Sequence, residues 1–270
     1  MMKKIQVSGL NFYCLDEGEG EPVLLLHGYP DSNKLWRNQV PALRDAGYRV
    51  IAPDLRGFGE SSKPQNVDAY SLEILVGDVL GILDALNIDK VKMIGHDFGA
   101  FLGWGLCLTV PDRITKYVAL AVGHPGSFFN AGIKQKQLSW YTHLFQIPGV
   151  DELIKADNWK FFRELTQHHS EVDHWIKDLE RPGAMNAGLN WYRANANLLY
   201  VDTSAFPKSR VPTTGVWANR DDYATELQMV NTVELMDAPW KYRRLEGAGH
   251  WMQLDRPDAL NQILLEELSS

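Results

Sequence analysis

Three residues of this chain could carry out displacement chemistry together: Asp97, Asp221 and His250, in that order. Asp97 is the centre of Gly95-His96-Asp97-Phe98-Gly99, a G-x-D-x-G spacing between an apolar run at 91–94 and a stretch of helical periodicity. A strand that turns sharply into a helix pushes its apex side chain out above a sheet, and small flanking residues permit the close approach. The first N–H groups of the helix then point at developing negative charge. A carboxylate has a reference pKa of about 3.9, so Asp97 is an anion at neutral pH and needs no base to become nucleophilic. Asp221 follows a strand-like run at 214–218, and His250 lies in Gly247-Ala248-Gly249-His250-Trp251, just past an alternating run at 240–245. Nucleophile, acid, histidine is the chain order of hydrolases built on such an elbow. In it Asp221 orients His250 and stabilises the imidazolium, while His250 takes a proton from water. The adjacent Asp222 is the alternative partner. Taken singly, Asp97 or Asp221 could be a helix cap and His250 a loop residue; all three at strand ends favour the catalytic reading.

The hydrophobic pattern supplies a scaffold for these groups. Segments 4–7 and 11–15 read as an edge hairpin around Ser8-Gly9. The continuous apolar run 23–26 suits a strand covered on both faces and ends in His27-Gly28-Tyr29-Pro30. A helix at 35–46, a strand at 48–52, a Gly/Ser-rich loop at 54–63, a helix at 71–86, the elbow and a strand at 114–122 follow. This alternation implies a mostly parallel sheet flanked by helices, with right-handed crossovers. Residues 123–210 change to helical segments and aromatic pairs, and are expected to form a helical lid inserted into an α/β core made of 1–122 and 211–270. Beyond it come a strand at 211–218, a helix at 226–236, a strand at 240–245 and an amphipathic helix at 259–268.

The 270 residues suffice to bury a core without metals or disulfides. A net charge of -7 and the lack of any Lys/Arg-rich run speak against nucleic acid as a partner. The opening residues lack an apolar stretch of signal-peptide length, and no later segment approaches a membrane span, so no membrane insertion and a cytoplasmic location are expected. Cys14 and Cys107 have neither metal nor redox spacing and are expected to be reduced. Monomer and homodimer remain equally open.

The stretches HGYP (27–30), GHDFGA (95–100), NWYRAN (190–195) and GAGHWMQLDRPDALN (247–261) resemble the epoxide hydrolases of the α/β-hydrolase fold, and the resemblance runs from about Gly18 to the C-terminus. It implies Asp97 as nucleophile, His250 as base and Asp221 as orienting acid. The N–H groups of Phe98 and Tyr29 would form an oxyanion hole, with a cis Tyr29-Pro30 bond. The two lid tyrosines of the family correspond to Tyr192 in NWYRAN and Tyr141 in YTHLFQIPG. Trp140, Phe145 and Trp251 are expected substrate contacts, although core packing explains lid aromatics equally well. The small-molecule substrate would be an epoxide, opened to a vicinal diol through an Asp97 ester without cofactor or metal. An epoxide releases an alkoxide, a poorer leaving group than halide, which gives the phenols a purpose. The nearest rivals are dehalogenases of the same fold. Haloalkane dehalogenases place a tryptophan directly after the nucleophile, where this chain has Phe98; fluoroacetate enzymes carry arginines at the positions of Phe98 and Phe101. Trp140 and Trp191 remain as conceivable halide donors. A hydrolase-fold binding protein or receptor would be favoured by a missing triad member, and none is missing; Asp97 itself disfavours a serine esterase.

Overall fold

The computed structural model describes residues 1–200, 202 and 206–269; residues 201, 203–205 and 270, the first four of them within the expected lid, lie outside the described residues. An eight-stranded sheet organises the chain: β1 (Met2–Val7), β2 (Leu10–Glu17), β3 (Glu21–Leu26), β4 (Tyr48–Pro53), β5 (Val91–His96), β6 (Ile114–Leu120), β7 (Thr213–Ala218) and β8 (Trp240–Leu245). Its order is β1-β2-β4-β3-β5-β6-β7-β8. The β1–β2 and β2–β4 pairs are antiparallel, and every pair from β4 to β8 is parallel. Positive φ at Ser8 and Gly9 (50° and 80°) gives the two-residue turn whose twist suits the edge hairpin. The apolar runs of β3, β5 and β6 lie in the middle and are buried because helices cover both faces.

The helices α1 (Gln39–Asp45), α2 (Leu72–Ala85) and α3 (Phe98–Thr109) connect successive parallel strands. The expected helix at 35–46 is two pieces, a 3-10 turn at Asn33–Trp36 and α1, because Pro41 has no N–H to donate and is accommodated in a first turn. Strand β6 stops at Leu120 rather than 122, since Ala121 takes φ 68°, and β7 starts after Pro212.

Among the described residues between β6 and β7 stand six α-helices, α4 (Pro125–Phe129), α5 (Gly132–Leu138), α6 (Tyr141–Leu144), α7 (Val150–Leu165, broken by non-helical backbone at 156–159), α8 (Val172–Leu179) and α9 (Ala184–Ala194), and a 3-10 turn at Ala196–Tyr200. This insertion is fastened over the carboxyl ends of the strands by polar ties. Trp191 Nε1 donates to the Arg56 carbonyl (2.8 Å), the Leu72 N–H donates to Asn195 Oδ1 (2.9 Å), and Tyr223 Oη donates to the Leu165 carbonyl (2.6 Å). Arg56 is itself fixed by a buried two-point contact to Asp78, 2.6 Å in each arm, a geometry that guanidinium and carboxylate share. After β7 come α10 (Glu226–Val230) and a 3-10 turn at Asn231–Leu235 in place of one helix at 226–236, and β8 is followed by α11 (Met252–Asp255) and α12 (Pro257–Leu268). Among the described residues no helix is long and apolar enough to cross a membrane.

Candidate active site

Asp97 stands between β5 and α3 with φ 54° and ψ −121°, a backbone state that L-residues adopt only when their surroundings impose it. Two glycines make the space. A Cβ on Gly99 would collide with the Leu26 carbonyl, so α3 could not approach β3, and a Cβ on Gly28 would occupy the place of the Asp97 carboxylate. The loop after β3 is set by His27, whose Nε2 accepts from the Leu55 N–H (3.0 Å) while its Nδ1 meets the Gly28 carbonyl (2.9 Å). Tyr29-Pro30 is cis, and the Tyr29 N–H donates to Asp97 Oδ1 at 2.9 Å. The Phe98 N–H also bonds the Asp97 carboxylate. Two backbone donors therefore converge on one oxygen-bearing group.

The loops after β7 and β8 bring Asp221 to His250, because these strands are parallel neighbours and their exits are joined. Asn219 and Arg220 donate their N–H groups to the carbonyls of Leu245 and Ala248, both at 3.0 Å, and Asn219 Oδ1 accepts from the Gly247 N–H at 2.7 Å. Asp221 Oδ1 accepts from the N–H groups of Tyr223 and Ala224 (2.8 and 2.9 Å), which leaves Oδ2 for His250 Nδ1 at 2.9 Å. Asp222 is exposed, so of the two adjacent acids it is Asp221 that reaches the imidazole. His250 Nε2 faces Asp97 Oδ2 at 3.5 Å.

Burial alone would favour the neutral forms of this set, and the charges oppose it. For His250 burial pulls the pKa down, but the Asp221 charge and hydrogen bond, with Asp97 beyond them, raise it well above the ordinary imidazole value. For Asp97 burial pushes up, yet the His250 hydrogen bond and charge prevail and the carboxyl is held below its usual range. Both directions favour an ion pair of aspartate and imidazolium in the resting site. Burial, assisted by the Asp97 charge, raises the phenols of Tyr141 and Tyr192 well above their ordinary value, so both keep their protons as donors.

Tyr141, at the start of α6, and Tyr192, on α9, hold their rings edge to face with centroids 6.0 Å apart. With Asp97 and His250 they line a cavity of about 290 Å³ whose walls include Phe98, Phe101, Phe128 and Trp191. Phe145 and Trp251 border a second, smaller space that Asp97 also lines. Trp140 is a correction to the expected contacts. It is half exposed, packs edge-on against Phe161 and lines neither space, because the turn that starts α6 points Tyr141 inward and its predecessor outward. Trp191 reaches the cavity, but its N–H is spent on the Arg56 carbonyl.

Two neighbours that spacing alone did not single out complete the arrangement. His96, pushed down to about 3 chiefly by burial and then by the His250 charge, is neutral; its Nε2 donates to the His250 carbonyl at 2.9 Å and its ring lies 4.7 Å from that imidazole. Its place beside Asp97 in GHDFGA was the available signal. Tyr223 lies 4.9 Å from the His250 ring and 6.0 Å from Tyr141, joining the loop that holds Asp221 to the insertion; an aromatic two residues past an acid gives no signal by itself. Among the described residues no group of three or more His, Cys, Asp and Glu is placed to hold a metal ion.

Comparison with known proteins adds to this geometry. The alpha/beta hydrolase fold family matches residues 21–257. The chain is 29% identical to Epoxide hydrolase A of Mycobacterium tuberculosis (strain ATCC 25618 / H37Rv), over 98% of this chain and 96% of that protein. It is 30% identical to Epoxide hydrolase 4 of Homo sapiens, over 97% of this chain and 76% of that protein. The crystal structure of Epoxide Hydrolase A from Mycobacterium thermoresistibile superposes with a TM-score of 0.86 at 29% identity, covering 100% of this chain and 98% of that one.

Proposed function

This chain belongs to the alpha/beta hydrolase fold family, and from that premise we propose that it is an epoxide hydrolase, an enzyme that adds water to an epoxide to give a vicinal diol. The observation that carries the reading is a pair of protonated tyrosines, Tyr141 and Tyr192, sharing an apolar cavity with a carboxylate on a nucleophile elbow. In the first half-reaction an Asp97 oxygen attacks an epoxide carbon from the side opposite its oxygen. The C–O bond breaks, a phenolic proton passes to the leaving alkoxide, and a hydroxyalkyl ester remains. In the second, the His250 imidazolium gives up its proton, which restores the phenol. The neutral ring then takes a proton from water, the resulting hydroxide adds to the ester carbonyl carbon, and the N–H groups of Tyr29 and Phe98 receive the oxyanion. Collapse, with the proton of the added hydroxyl passing to the departing alkoxide, releases the diol and regenerates the Asp97 carboxylate and the His250 imidazolium. The insertion serves as a lid, residues 123–210 over a core of 1–122 and 211–270, since it supplies both tyrosines and much of the cavity wall above Asp97. A dehalogenase reading lacks support: the Trp191 N–H is engaged, and Trp140 lies outside the cavity.

The tyrosines provide the test. Tyr141→Phe or Tyr192→Phe alone should slow ester formation, and the double variant should slow it by roughly a hundred- to a thousandfold, the scale of a lost transition-state donor. Rapid-quench measurement with an epoxide and a haloalkane of matched size checks this. A double variant that forms ester from the epoxide at near wild-type rate would reduce the phenols to packing.

A second expectation concerns pH. Two carboxylates hold His250 protonated in the resting site, but esterification of Asp97 removes one of them, so the imidazole pKa falls in the intermediate. Ester hydrolysis, which needs the neutral imidazole, should therefore rise with pH through that lowered value and then level off. Ester formation needs the Asp97 anion, whose pKa is depressed, and the protonated phenols, whose pKa values are raised, so it should stay flat between about pH 5 and 8. Single-turnover rates across this range check both, and parallel profiles for the two steps would contradict the assignment of His250 to hydrolysis alone.

A further inference from the structure

The two spaces that meet at Asp97 are very unequal. Both are bordered by Asp97, Tyr141, Tyr192, Tyr223 and His250, so any group bonded between the nucleophile and the phenols sits at their junction. One is the aromatic cavity of about 290 Å³, which runs out between the exposed Lys136 and Tyr200. The other holds about 30 Å³, a small fraction of the first.

In-line attack places the attacked carbon on the axis from nucleophile to oxygen and the second carbon to one side of it, so the substituents of the two carbons point away from each other, one towards each space. Resting on the epoxide hydrolase reading, we propose that the substrates are epoxides with one large apolar substituent and, on the other carbon, hydrogen or methyl. The large group lies along Phe98, Phe101 and Phe128 and can extend into solvent, so its length is not limited. The small side is bounded by the buried Tyr29, Phe145 and Trp251 and the half-buried Leu165, and its walls are braced. Trp251 stacks within 4.5 Å of Trp175, and the Tyr29 ring meets Phe145 and Phe162 at 5.9 and 6.4 Å. Well-packed rings do not yield to an extra methylene without shifting their neighbours.

Isomeric epoxides of equal carbon count separate size on one side from hydrophobicity. The experiment measures kcat/KM of the full chain for 1-octene oxide, trans-2-octene oxide and trans-4-octene oxide. The first two should be hydrolysed within about tenfold of each other, and the third, which must place a propyl group in the small space, at least about a hundredfold more slowly, the scale of misfitted methylenes in a closed pocket. Leu165 is the half-buried part of that wall, and Leu165→Ala should raise the ratio of trans-4- to 1-octene oxide hydrolysis by about tenfold or more. Equal wild-type rates for all three would overturn the inference and leave the epoxide hydrolase reading standing. No diol from any of the three would overturn both.

Discussion

Asp97→Ala should form diol at least about ten-thousandfold more slowly than the wild-type chain, because among the described residues no other carboxylate lines either space. His250 Nε2 faces Asp97 from 3.5 Å, and Tyr29 donates to it from 2.9 Å, so the whole site converges on this one group. The fold should survive. The substitution leaves the Tyr29 N–H without its acceptor and an alanine at φ 54°, costs of about 1–3 kcal/mol each, against the 5–15 kcal/mol typical of a folded domain. Far-ultraviolet circular dichroism and a single cooperative melt would establish that the protein is folded while activity is assayed by diol release. Retained diol formation by folded Asp97→Ala protein would mean that water attacks the epoxide directly, and the covalent mechanism would have to be abandoned. Heavy-oxygen water offers an independent check, since repeated turnover through an ester must place the label in the Asp97 carboxylate.

His250→Gln should behave differently, losing turnover while keeping the first chemical step. Without a base for water, hydrolysis of the ester should slow by about a hundred- to ten-thousandfold, the usual worth of a positioned general base. Asp97 would still alkylate, so the intact protein should gain the mass of one epoxide, and a peptide containing Asp97 should carry it. The variant also removes the cation that helps hold the Asp97 carboxyl low, so its pKa rises and the measurement is best made near pH 8, where the carboxylate is ionised regardless. Substrate binding without any adduct would place His250 in the alkylation step and overturn its assignment to water alone.

Much of this site could be read before any coordinates. The G-x-D-x-G spacing required a close strand-to-helix corner, and Gly99 against the Leu26 carbonyl is that corner. Apolar runs at β3, β5 and β6 marked doubly covered strands because a parallel sheet buries both faces, and the order of Asp97, Asp221 and His250 placed each at a strand exit. Such features are local, so a short window of residues carries the signal. Three decisions belonged to tertiary structure. Asp221 and Asp222 are equivalent by spacing, and only the stitching of the β7 and β8 exits through Asn219 and Arg220 turns the first towards His250. Trp140 and Tyr141 are equally aromatic, and the turn that begins α6 sends one to the surface and the other to the cavity that Asp97 lines. Lastly, the difference between a cavity of about 290 Å³ and one of about 30 Å³ follows from how Phe145, Leu165 and Trp251 are braced by rings from distant segments. Free volume is what packing leaves unfilled, a property of many side chains at once, and no single stretch of sequence contains it.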